Sequence, residues 1–287
     1  MTRWHIRVMA CVLAASLVGC STTTPYVGQG PHPQITRGHP LPPIDFLGNV
    51  FAILSKIILF NWKIDNHTVS AETEAYLVKY IDSPITEEGG THFSLNEYAP
   101  GRALARLVHN HKVAWPYRLL LGFPVTLISD ILLPGRLFAG LLSGDAYNPF
   151  TDTVSLYSDL PSVALHEAGH AHDFNSRHFK GTYAAARLIP FVDLYQEFQA
   201  TDEALRYFIE TNERQQELSA YKILYPAYGT YVGGYLFIIG GSVIGAVVGH
   251  IWGRAKARSR VQYYQKLDAL QRSKEAAASR PQPVVTP

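Results

Sequence analysis

The chain has 287 residues, a formal net charge of +2 and a hydrophobic fraction of 47%. That length accommodates one large domain or two small ones, and the apolar share suffices for a core and for membrane contact. The balanced charge supplies no global field to draw nucleic acid, so a nucleic-acid partner is excluded.

The first stretch reads MTRWHIRVMACVLAASLVGCSTT. Arg3 and Arg7 form a basic front, and the apolar run at 8–18 is too short to span a bilayer, which reads as an export signal over residues 1–19. It ends in LVGC, which resembles the lipobox of bacterial lipoproteins. The resemblance implies that Cys20 takes lipid and becomes the first residue; a plain cleaved signal or an uncleaved anchor is the alternative. Cys11, the only other cysteine, is preceded by too little apolar sequence to compete. A chain so processed has no thiol, and can enter an oxidising compartment without disulfides. Residues 20–43 are rich in Thr, Pro and Gly and read as a flexible tether.

The folded part is expected from residue 44. Residues 44–62 are apolar but interrupted by Asn49, Ser55 and Lys56, as in a core or interfacial helix. Ser70 is placed to cap a helix over 70–81, with Glu72 and Glu74 in its first turn. Residues 91–100 alternate weakly, compatible with a short strand. The greasy stretch 119–142 carries Pro124, Asp130, Pro134 and Arg136. It is expected to form two buried or interfacial helical pieces rather than a span. Residues 151–157 alternate, with Val154 and Leu156 on one side, as in a half-buried strand. Ser158 or Asp159 can cap the next helix, with Pro161 in its first turn.

That helix carries LHEAGHAHDF. His166 and His170 are i and i+4 and share a face, a spacing at which two neutral imidazoles can hold one zinc ion. Glu167 is placed to reach a water beside them. The pattern resembles the signature of the zincin metallopeptidases. His172 points to another face. Asp173 shares the side of His170 and can orient a ligand imidazole as a supporting carboxylate. The third ligand is expected from the next helical stretch, 182–210, which Pro190 kinks or splits. Glu197 is preferred because Ala200, Thr201 and Ala204 share its face and allow close packing on the motif helix. Asp193, one turn earlier, is the rival. Here the sequence resembles gluzincins, in which a second helix supplies a glutamate. The resemblance covers these two helices and little else. Related enzymes often carry an acid one residue earlier than Asp202. The resemblance implies zinc-assisted peptide hydrolysis, Glu167 as the proton carrier, and a Tyr or His stabilising the oxyanion. Tyr183, His178, Tyr195 and Tyr207 remain open for that role.

From 231 to 252 no residue carries a fixed charge, and the run is long enough to span. Gly241, Gly245, Gly249 and Gly253 recur every four residues and leave a bare ridge for close helix approach. The segment resembles the glycine-zipper segments of bacterial envelope proteins. A membrane helix over 230–253 that pairs with a second copy is expected, a glycine-rich hairpin being the alternative. A basic helix and a disordered tail follow over 254–287.

The expected architecture is α+β and mostly helical: a metallopeptidase domain over 44–229 with a small sheet beside the motif helix, then the membrane helix. The expected function is a membrane-associated zinc metallopeptidase of the bacterial envelope, facing the periplasm and anchored through Cys20 and residues 231–252. Ser21 resembles an outer-membrane sorting signal, whereas a spanning helix followed by basic residues suggests the inner membrane. The alternative is a lipoprotein scaffold with a structural or degenerate metal site, self-associating through the glycine ridge.

Overall fold

The computed structural model describes residues 21–22, 32–83, 90–236 and 240–278. The signal at 1–19, Cys20, residues 23–31 of the tether and the last nine residues therefore lie outside the described residues.

The fold is α+β and mostly helical. Its sheet comprises β1 (Ser21–Thr22), β2 (Ile35–Gly38), β3 (His92–Leu95), β4 (Ala146–Asn148) and β5 (Thr153–Leu156), in the order β1-β2-β3-β5-β4. The three central strands are parallel and both edges antiparallel. Ile35 and Val154 flank Phe93, and Arg37 and Leu156 flank Leu95. Because side chains alternate, Ile35, Phe93, Leu95, Val154 and Leu156 share one face, and all five are buried in a single core. The inward pair foreseen in β5, Val154 and Leu156, has no exposed surface. Residues 35–38 correct the tether expectation: Ile35 joins the core, which gives this stretch an apolar reason to pair rather than to float.

The helices are α1 (Pro42–Phe51), α2 (Ile53–Ile58), α3 (Ala71–Ile81) and α4 (Pro100–His109), followed by a helical stretch over 115–132, α5. Next come α6 (Gly135–Phe138), α7 (Pro161–Ser176), α8 (Lys180–Ala186) and α9 (Val192–Glu210). Ser70 caps α3, its side chain accepting from the Thr73 backbone N–H. Asp159 reinforces that cap by accepting from the Ser70 backbone and hydroxyl and from the Thr73 hydroxyl. This replaces the expected role of Ser158 or Asp159 at the start of α7, where Leu160 stands at the cap and Pro161 opens the helix. The Ser158 hydroxyl instead donates to Asp145. The stretch 119–142 does form two helical pieces, but Leu119, Leu120, Phe123 and Leu132 in the first are exposed. Pro190 separates α8 from α9, and Phe191 takes the left-handed conformation at the break (φ 70°).

The chain ends in a helical hairpin, α10 (Arg214–Leu236) and α11 (Gly241–Ala278). Gly253 faces Tyr221, Gly249 faces Tyr225 and Pro226, Gly245 faces Gly229, and Gly241 faces Gly233, so the two helices run antiparallel with backbones in close approach. Farther from the turn, Arg260 and Tyr264 engage the buried Glu217, and Arg214 pairs with Asp268 at 2.9 Å. This arrangement corrects two expectations. Residues 231–252 do not form one helix, and among the described residues no helix is long and apolar enough to cross a membrane. The glycine ridge meets the chain's own α10 rather than a second copy. Nor does a unit end at 229: that position lies inside α10, and Tyr221, Leu224 and Ala257 share the core of the sheet.

Candidate metal centre

The motif helix α7 lies on the apolar face of the sheet, with Ala164, Leu165 and Ala168 in the core. Its exposed-face demand is met by α9. A Cβ on Gly169 would sit 3.1 Å from the Ala200 carbonyl oxygen and 3.2 Å from its Cα. The pair therefore approaches backbone to backbone, and Ala200 and Ala204 are fully buried at the contact. The run of small residues in α9 thus does what its spacing indicated: it carries Glu197 up against the two histidines.

His166 Nε2 lies 3.1 Å from Glu197 Oε2, and His170 Nε2 lies 3.3 Å from Glu197 Oε1. One ligand atom from each of His166, His170 and Glu197 falls within 4.8 Å of the others, and the group is buried. Two imidazoles and a carboxylate at this spacing are a donor set that suits a divalent transition metal, so the triad can bind a metal ion. The Thr201 hydroxyl is 3.3 Å from His166 Nδ1. If Nδ1 carries the proton and donates to Thr201, the Nε2 lone pair is directed at the triad.

The electrostatics follow from burial and from these contacts. Burial alone would raise Glu197, but His170 and His166 outweigh it and hold its carboxyl well below the usual range. Burial lowers His170. It opposes protonation of His166 as well, yet the Glu197 hydrogen bond and the Glu167 and Glu197 charges win, and His166 is raised. Burial pushes Glu167 up to about 7, against the pull of His166 and with help from Glu197 and Asp145.

The rivals fall elsewhere. The Asp173 carboxylate is held by Arg177 and Tyr183 rather than by a ligand imidazole. Asp193 takes a hydrogen bond from the Leu194 backbone and lies beside Tyr235. His172 pairs with Glu203 at 3.4 Å, on the other face as expected. Of the four candidates for oxyanion stabilisation, Tyr183 is committed to Asp173, His178 meets Phe179 edge to face, and Tyr207 packs on Tyr80 in the core. Tyr195 stands half exposed beside Arg177.

Of the groups that the sequence reading passed over, one reaches the triad and a second lies within its field. Arg187, just past α8, donates to Glu197 Oε1 and feels the charge of Glu167. Tyr231, from α10, has its phenol raised chiefly by the Glu197 charge and senses both Arg187 and Glu167. Arg187 also stands at the end of a cavity of about 320 Å³ between α5 and the edge strand β4.

Fold and centre together define an α+β protein with a buried two-histidine, one-glutamate site able to hold a metal. No protein-family model matches the chain, and no curated protein or solved structure was found to match it.

Proposed function

We propose that the chain is a zinc-dependent metallopeptidase of the bacterial cell envelope, with His166, His170 and Glu197 as the metal ligands. The observation that carries this reading is the meeting of three donors from two helices with a second buried carboxylate, Glu167, next to the first donor. A bound zinc ion would supply Lewis acidity and a water acidified towards neutrality. Glu167, poised near neutrality by burial, takes up a proton as the scissile carbonyl is attacked. It then returns that proton to the leaving amine. Arg187 and Tyr231 supply the positive charge and the phenolic donor suited to the developing oxyanion. The 320 Å³ cavity beside Arg187 is of the size that accepts one substrate segment. The envelope location rests on the LVGC signal in the sequence.

A second reading, a metal site that is structural or degenerate in a scaffold protein, draws support from one contact. The Arg187 guanidinium already neutralises Glu197 from within the chain. Metal analysis and peptide cleavage on the same preparations separate the two readings. Under the peptidase reading, Glu167→Gln keeps one zinc per chain and loses cleavage by two to four orders of magnitude. Glu197→Ala loses zinc, and Asp193→Ala keeps it. Zinc-loaded protein in which Glu167→Gln changes no activity overturns the peptidase. Loss of metal in Asp193→Ala alone overturns the ligand set.

A further inference from the structure

We propose that the outer face of α11 in the hairpin, with the adjoining surface of α1 and α2, docks into one leaflet of an anionic phospholipid bilayer. This inference does not depend on the peptidase reading.

Between Lys222 and Arg254 the sequence contains no Asp, Glu, Lys or Arg. The hairpin nevertheless leaves its outer face bare: Val243, Ile244, Val247, Val248, Ile251 and Trp252 are all exposed, Trp252 at 71%. A second apolar surface joins it laterally. His250 donates to the Ile58 carbonyl at 2.8 Å and stacks on Phe60 at 4.5 Å. Beyond that contact Phe46, Leu54, Ile57 and Trp62 are exposed as well. Scattered exposed apolar residues are ordinary, but so many large ones on three helices, two of which meet at His250, mark an interaction surface.

Charge identifies the occupant. Trp252 is followed one turn later by Lys256, and Ile251 two turns later by Arg258, so the apolar face of α11 passes directly into a basic one. Both basic residues are exposed. Arg254 lies between the two zones, over the Phe60 ring. Apolar residues, then tryptophan, then lysine and arginine along one helix face is the order in which a helix meets hydrocarbon, interface and anionic headgroups. The depth fits one leaflet and not two. Twelve residues from Gly241 to Trp252 rise about 18 Å, against about 15 Å for half a hydrocarbon core. The same face extends towards the metal triad. A groove of about 450 Å³ between the hairpin and α9 is lined by Trp252, Val248 and Phe198, with the exposed Asp202 on its α9 side next to Thr201, whose hydroxyl touches His166. A bilayer on this face would place the triad at its surface.

The test follows Trp252 itself, so an N-terminal anchor does not interfere. Full-length protein is mixed with vesicles of phosphatidylethanolamine and phosphatidylglycerol carrying brominated acyl chains. The Trp252 signal is taken as the difference from Trp252→Phe. Expected is quenching of that signal, abolished by Val247→Asp with Ile251→Asp. Each of Lys256→Gln and Arg258→Gln should raise the vesicle concentration for half-quenching about fivefold. Far-UV circular dichroism checks that each exposed-site variant keeps its helices. Protein that floats with the vesicles while Trp252 stays unquenched overturns the proposal. So does quenching indifferent to the aspartate pair. A dimer in vesicle-free buffer that the aspartate pair dissociates also overturns it, assigning the face to a second copy.

Discussion

The hairpin packing can be tested at a single atom. A Cβ added at Gly249 would lie 2.5 Å from Pro226 Cα and 2.8 Å from Pro226 N. Carbon atoms in contact prefer about 3.5–4.0 Å, so Gly249→Ala demands that α10 and α11 part by about 1 Å. Neither partner can turn aside, because the obstructing atoms, the Tyr225 carbonyl oxygen among them, all belong to the backbone of a helix that carries Pro226 inside it. Overpacking of this kind costs about 1–3 kcal/mol, and the rigidity here points to the upper end, about 3. Alanine returns about 1 kcal/mol through helix propensity, leaving a net loss of about 2 kcal/mol. For a chain of this size that lowers Tm by about 5 °C. Gly234→Ala is the internal control. Its Cβ would meet only the Ser242 hydroxyl, at 3.3 Å, on an exposed part of the same hairpin. It gains the same propensity term without the clash and stabilises by up to about 1 kcal/mol. Urea unfolding followed by circular dichroism measures the gap of about 3 kcal/mol between the variants. Equal midpoints would mean that residues 231–252 do not fold back on themselves, and the spanning helix would return.

Thr201→Val removes the hydroxyl from His166 Nδ1 while keeping shape, and metal affinity should fall about 10–100-fold; competition with a chromophoric chelator reads it, and an unchanged affinity denies Thr201 that role. Tyr231→Phe should lower kcat of peptide cleavage with KM and zinc content little changed, as expected for a donor that acts on the transition state; a change confined to KM would make Tyr231 a binding residue. Burial, with Asp145 close by, pushes Asp65 up to about 7. A carboxyl raised on folding keeps its proton in the folded state longer than in the unfolded one. Its contribution is therefore complete below the ordinary value near 4 and is lost as pH rises to about 7, by about 1.4 kcal/mol per pH unit. Asp65→Asn should thus raise Tm at pH 8 relative to the native chain and lose that advantage by pH 4; an equal shift at both values refutes the assignment.

What could be read in advance was whatever depends on local spacing. The i, i+4 histidines fix a shared helix face whatever surrounds them, and the small residues beside Glu197 announce a close helix contact before the partner is known. The strand pair Val154 and Leu156 declares itself by alternation. Arg187 and Tyr231 could not be found that way. Nothing local distinguishes Tyr231 from the other tyrosines; only the packing of α10 on α9 and α7 brings it within the field of Glu197. The reversal of α10 against α11 was hidden too, because a charge-free run with glycine every fourth residue satisfies two physical arrangements equally. The ridge can meet a second chain inside a bilayer or the preceding helix of its own. Gly229 and Gly233 in α10 decide between them, since a ridge of glycines opposite a second pair of glycines permits backbone contact within one chain. A spanning helix in lipid needs small residues on one side only; this hairpin carries them on both helices nearest its turn, at positions that descend on one helix as they ascend on the other. Reading the glycines as a mirrored set rather than a single period would have predicted the fold-back.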